Sequence, residues 1–247
     1  MGEKKKKIRL MRKSSILNHQ PSIYILHGWT YSLEKWSPFI AHLKQSKLNP
    51  VLLKIPGLTK KIENPWTLED YVDWLFNIVK NETGSINLIG HSNGGRIAMA
   101  FALKYQDKIS KLVLIDSAGV FHDKLPLKVK RVVFKAIAKT GRKFLSSKTA
   151  KNLLYFLARE TDYKDASENM KKTMINLMEA DKTLEIEKIL ASTIIIWGRK
   201  DSITPLSDAK ILNQKIINSK LYIINNARHS PQFTNPEETA GIISNFL

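Results

Sequence analysis

Short apolar runs alternate with longer amphipathic stretches along the first half of the chain. Ile23–Leu26, Val51–Ile55, Ile86–Ile89 and Leu112–Ile115 are aliphatic or β-branched runs bounded by turn-forming residues. After a long interval come Thr193–Trp197 and Leu221–Ile224. Runs that are apolar at successive positions, rather than at every second one, suit strands covered on both faces. Between them, helices are predicted over about 33–46, 67–81, 94–106, 206–216 and 236–246. Leu68, Tyr71, Val72, Leu75, Phe76 and Val79 form an apolar stripe at helical spacing, and Thr67 with Asp70 resembles its N-terminal cap. Strands that alternate with helices in this way predict a parallel α/β sheet.

Residues from about 120 to 188 break the alternation. They carry helix-spaced apolar groups, such as Leu127, Val132, Val133 and Ile137, then Met170, Met174, Leu177 and Met178, with no strand-like run. A single crossover needs far fewer residues. The expected organisation is a first core part at 1–119, an inserted helical cap or lid at 120–188, and a second core part at 189–247.

Composition narrows the class. The chain of 247 residues, 43% hydrophobic and 25% charged, is ordinary for a globular protein. No stretch of about 18 apolar residues occurs, so no membrane span is expected. The absence of cysteine excludes disulfides, thiolate metal sites and a cysteine nucleophile, and a cytoplasmic location is the default expectation. The net charge of +18 is concentrated: residues 1–13 contribute +6 and residues 121–159 contribute +10. Attraction to an anionic partner is one reading of this excess. Solvated lysine-rich faces are the preferred one, because no nucleic-acid motif accompanies the charge, and no nucleic-acid partner is expected.

The most informative stretch is Gly90-His91-Ser92-Asn93-Gly94, which follows the strand Ile86–Ile89 and precedes an amphipathic helix. A serine on so tight a strand-to-helix turn is lifted clear of the sheet at a helix N-terminus. Flanking side chains would collide there with neighbouring elements, which is the reason for the glycines. Such a serine needs a base. Of His19, His27, His42, His91, His122 and His229, only His229 stands in a loop after a late strand and before a final helix. The orienting acid is expected at Asp201, directly after the strand Thr193–Trp197, in the chain order Ser…Asp…His. Asp116, at the end of Leu112–Ile115, is its rival.

A tetrahedral intermediate needs hydrogen-bond donors for its oxyanion. The backbone N–H of Asn93 is one. The loop His27-Gly28-Trp29 offers the N–H of Trp29 as the other, with Gly28 allowing close approach. His27 is expected to brace this loop rather than to catalyse. Trp29 could line the acyl pocket or simply pack.

These residues resemble the α/β-hydrolase superfamily, in particular its small cytosolic serine esterases with a helical cap. The matching pieces are His27-Gly28-Trp29, Ile55-Pro56-Gly57, Gly90 to Gly95, Leu114-Ile115-Asp116-Ser117, Trp197-Gly198-x-x-Asp201 and Ala227-Arg228-His229, spread over residues 23–247. The resemblance implies a mostly parallel eight-stranded sheet with helices on both faces, a Ser–His–Asp triad, and no metal or organic cofactor. An ester or other acyl substrate and a monomer or homodimer are the matching expectations. C–C bond hydrolysis, thioester hydrolysis and acyl transfer would use the same triad, and a non-catalytic binding protein on this fold is a more distant alternative. Two departures from the family pattern stand out: Arg228 where glycine is common, and the polar Asn93 beside the nucleophile. The family also has a hairpin before the first of these strands, for which Lys7–Met11 and Ser15–Asn18 are short candidates.

Overall fold

A computed structural model describes residues 21–29, 32–59, 61–121 and 167–247. Within them six strands form one sheet: β1 (Ile23–Leu26), β2 (Pro50–Leu52), β3 (Ile86–His91), β4 (Ile109–Ile115), β5 (Ser192–Gly198) and β6 (Ser219–Ile224). The spatial order is β2-β1-β3-β4-β5-β6, and all five pairings are parallel. The parallel sheet is therefore as expected, but the described residues supply six strands rather than eight. Lys7–Met11 and Ser15–Asn18, which would have extended the count, lie outside the described residues.

Among the described residues seven α-helices accompany these strands: α1 (Ser37–Gln45), α2 (Leu68–Val79), α3 (Asn93–Lys104), α4 (Glu168–Ala180), α5 (Leu206–Lys215), α6 (Pro231–Thr234) and α7 (Pro236–Ser244). The alternation of side chains along each strand divides the core in two. Ile195 and Trp197 face a layer built from α2, α3 and α5, including Leu75, Ile97 and Leu212. Ile194 and Ile196 face the opposite layer, where Phe39 and Leu43 of α1 meet Ala240 and Ile243 of α7. Burial on both faces explains why these strands read as continuous apolar runs.

Local chemistry sets the element ends. Thr67 accepts a hydrogen bond from the Asp70 N–H, and the Asp70 carboxylate accepts one from the Thr67 N–H, closing a capping box at the start of α2. β2 is shorter than the expected Val51–Ile55. Leu53 still donates to the Ile25 carbonyl, but the Ile55 amide turns to the His27 ring instead of a strand. The chain then bends through Gly57, whose φ of +75° suits glycine.

The chain order runs outward on both sides from the boundary between β1 and β3. In open parallel sheets the crevice beyond the carboxyl ends at such a reversal is where ligands bind. Gly28 follows β1 and Ser92 follows β3, so both flank this crevice. The expected cap falls mostly in 122–166, outside the described residues. Its described end comprises α4 and two short 3-10 turns at Asp181–Thr183 and Ile186–Lys188.

Candidate active site

Ser92 caps α3 with φ +52° and ψ −120°, a conformation that non-glycine residues rarely adopt. Its backbone is pinned from three sides. The Ser92 N–H donates to the Ile115 carbonyl of β4, and the Ser92 carbonyl accepts from the N–H groups of Gly95 and Ala118. The surrounding glycines are demanded by space. A Cβ at Gly94 would lie 2.0 Å from the Leu26 carbonyl oxygen, and one at Gly90 would lie 2.6 Å from the Gly95 Cα. Backbone cannot yield at such distances. The turn therefore depends on the residue types that made it legible.

The half-buried ring of His229 bridges two partners. Its Nε2 stands 3.1 Å from the Ser92 hydroxyl oxygen, and its Nδ1 stands 2.8 Å from Asp201 Oδ2. A carboxylate on Nδ1 requires the proton there, which leaves Nε2 free to accept from the hydroxyl. Asp201 is itself held from several directions. Its Oδ1 accepts from the amides of Ile203 and Thr204, and its Oδ2 accepts from the Thr204 hydroxyl at 2.6 Å. Burial alone would raise the carboxyl pKa, but the hydrogen bonds from His229, Thr204 and Ile203 hold it below the ordinary value.

Asp116 is fully buried and also adopts a positive φ of +40°. Its Oδ1 accepts from the Gly198 amide at 2.9 Å, while its Oδ2 has no hydrogen-bond partner among the described residues. Burial first, and then the neighbouring Asp201 charge, push its pKa well above the ordinary carboxylate value. Asp116, Asp201 and His229 bring one donor atom each within 4.8 Å of one another, the one cluster of metal-ligating type found among the described residues. Nδ1–H of His229, however, donates to Asp201 and not to Asp116.

The loop after β1 is braced by His27. Its Nδ1 donates to the Gly28 carbonyl at 2.6 Å, and its Nε2 accepts from the Ile55 amide at 3.3 Å. Both nitrogens are thus assigned, and burial pushes the ring pKa down to about 4. A planar trans peptide directs its C=O and N–H oppositely, so the tethered Gly28 carbonyl turns the Trp29 N–H the other way. Gly28 itself abuts the serine: a Cβ there would lie 2.8 Å from the Ser92 Cβ.

Three features were not foreseen from the sequence. Arg96 forms a two-pronged ion pair with Asp181 and also donates through Nη1 to the Asn93 side-chain oxygen. The Asn93 amide nitrogen in turn approaches the Met174 sulfur of α4 at 3.7 Å. His91 turns to the backbone of His229, with its Nε2 2.8 Å from that carbonyl oxygen. Apart from the Arg96–Asn93 bond within α3, sequence separations of 81 to 138 residues conceal these pairings.

Comparison with known proteins agrees with the fold. A family model described as the alpha/beta hydrolase fold matches residues 21–236. Human monoacylglycerol lipase ABHD6 is 24% identical over 259 residues, covering 93% of this chain and 76% of that protein. The 2-hydroxy-6-oxononadienedioate/2-hydroxy-6-oxononatrienedioate hydrolase of Escherichia coli is 25% identical, covering 92% and 86%. Among solved structures, a thermophilic esterase from Thermogutta terrifontis superimposes with a TM-score of 0.70 at 21% identity, covering 92% of this chain and 89% of that one.

Proposed function

We propose that this chain, which belongs to the α/β-hydrolase fold family, cleaves carboxylic esters by two-step acyl transfer, with Ser92 as nucleophile, His229 as base and Asp201 as orienting acid. One observation carries the reading: the two nitrogens of the His229 ring are engaged by Ser92 Oγ and Asp201 Oδ2 at hydrogen-bond distance. As Ser92 Oγ attacks the ester carbonyl, its proton passes to His229 Nε2, and the imidazolium is stabilised by Asp201. The tetrahedral oxyanion accepts from the backbone amides of Trp29 and Asn93. Asn93 is the first residue of α3, where the N–H has no intrahelical acceptor, and the tethered Gly28 carbonyl favours the required direction for Trp29. His229 then returns its proton to the leaving alkoxide. Water, deprotonated by the same nitrogen, releases the acid and regenerates Ser92.

In this reading residues 120–188 form a lid over the crevice. Contact of Met174 with Asn93 and of Asp181 with Arg96 supports a position for its described end beside the nucleophile turn. The positive balance of residues 121–159 favours anionic esters as substrates.

Cleavage of a carbon–carbon bond next to a carbonyl would use the same three residues, and the relative from Escherichia coli raises this second reading. A panel of p-nitrophenyl esters of graded chain length, run beside a dienone-type C–C substrate, separates the two. Turnover of the esters well above the dienone supports the proposal. Turnover of the dienone alone would transfer it to C–C hydrolysis.

A further inference from the structure

His91 ends β3, one residue before Ser92, and is 6% exposed. Its Nε2 lies 2.8 Å from the His229 carbonyl oxygen, which can only accept, so Nε2 carries the proton. Its Nδ1 faces Gly28, where a Cβ would approach it to 3.1 Å. The ring tilts against that of His229 with centroids 5.1 Å apart. Trp36 and Phe233 close around it at 6.0 and 6.3 Å. One imidazole thus spans the loop after β1 and the loop bearing His229, and no described carboxylate is hydrogen-bonded to it.

We infer that His91 is a positioning residue, whose uncharged ring clamps the main chain of His229 through Nε2–H and thereby holds the base against Ser92. The inference rests on the proposed function above.

Such a clamp has two physical requirements. A clamp on the backbone of the base fixes the origin of its side chain, and a misplacement of about 1 Å at a reacting group can cost on the order of 10²-fold in rate. Permanent neutrality is the second requirement, because His229 becomes a cation during the reaction and a charged ring beside it would oppose this. The titratable groups facing His91 are His229 and Asp201 across the His229 loop and His27 from the loop after β1. Burial, reinforced by the His229 charge, lowers the His91 pKa to about 3, so the ring stays neutral wherever a hydrolase of this type works.

Three substitutions separate the clamp from mere packing. Gln places its amide nitrogen three bonds from Cβ, as Nε2 is. Asn places its nitrogen where Nδ1 is, and Phe keeps the ring without a donor. With p-nitrophenyl acetate, H91N and H91F are expected to lose roughly 10- to 100-fold in kcat, with KM little changed, and H91Q to recover most of that loss. Full kcat in a folded H91F, or an H91Q as damaged as H91F, would overturn the inference.

Nitrogen-15 NMR of the imidazoles in the unsubstituted protein gives an independent reading, should these variants fail to fold. The expected signature for His91 is a protonated Nε2 that does not titrate between pH 5 and 9. The opposite tautomer, or titration in that interval, would sink the inference. This signature does not depend on turnover, so failure of the ester reading and failure of the clamp would be told apart.

Discussion

Arg96 grips Asp181 with two hydrogen bonds, Nε to Oδ1 at 2.5 Å and Nη2 to Oδ2 at 2.8 Å, and the two side chains are only 5% and 11% exposed. The pair ties the helix that starts at the Ser92 turn to the segment leading into β5. Removal of one member strands a buried charge, which costs about 3–5 kcal/mol. Arg96→Met is therefore expected to lower stability by that order in urea denaturation. The double variant R96M/D181L should recover much of it, and a single-variant loss below about 1 kcal/mol would show the pair to be energetically idle.

Gly198 ends β5 where the His229 loop passes closest. A Cβ there would lie 2.2 Å from the Arg228 carbonyl oxygen and 2.8 Å from that of Ala227. Neither backbone atom can turn aside, so Gly198→Ala should push the loop, and His229 with it, away from Ser92. The expected outcome is a fall in kcat on the order of 10²-fold with secondary structure retained by circular dichroism. An active G198A would mean that the base has more freedom than its hydrogen bonds indicate.

Asp116 offers a test in stability rather than activity. Its folded-state pKa is raised, so above the ordinary value of 3.8 the native protein holds a proton that the unfolded chain has released. The contribution of this group to stability therefore falls as pH rises. Asp116→Asn keeps the acceptor for the Gly198 amide and removes the ionisation. Its melting temperature should exceed that of the unsubstituted protein at pH 8, by a margin that shrinks toward pH 4. A variant less stable at pH 8 would contradict the burial argument.

His27 and His91 work in the opposite direction. Their pKa values of about 4 and about 3 lie below the ordinary 6.5, so the unfolded chain binds protons that the native state refuses. Stability from these rings is complete above pH 6.5 and is lost as pH falls toward the folded values. Each proton gained on unfolding adds about 1.4 kcal/mol per pH unit to the slope near pH 5, and the raised pKa of Asp116 works against it. In D116N the slope should therefore be steeper. Urea denaturation at pH 7, 6 and 5 reads both, and a flat profile would show that the rings are more accessible than their burial implies.

The sequence made the sheet legible because its strands are buried on both faces and so stand out as unbroken apolar runs. Ile86–Ile89, Leu112–Ile115 and Thr193–Trp197 each fall inside an observed strand, and the Thr67 cap was visible in the residue pair that forms it. β2 was overextended because the Ile55 amide is claimed by the His27 ring, a tertiary bond without local signature. The short helix Pro231–Thr234 went unseen between a loop and a longer helix. The count of eight strands came from resemblance rather than from apolar runs, and six are found in the described residues. At the site, Ser92, Asp201 and His229 could be picked out because each follows a strand. His91, Arg96 and Asp181 could not, since their meaning lies in partners far along the chain.

The proposed chemistry requires the hydroxyl of Ser92 to be the reactive group, and a fluorophosphonate probe reads this directly. Such a reagent needs an activated serine and an oxyanion site but no knowledge of the natural substrate. One equivalent should attach per chain, located at Ser92 by peptide mass spectrometry, with none attaching to S92A. Undiminished labelling of S92A, or no labelling of the folded unsubstituted protein, would contradict the account.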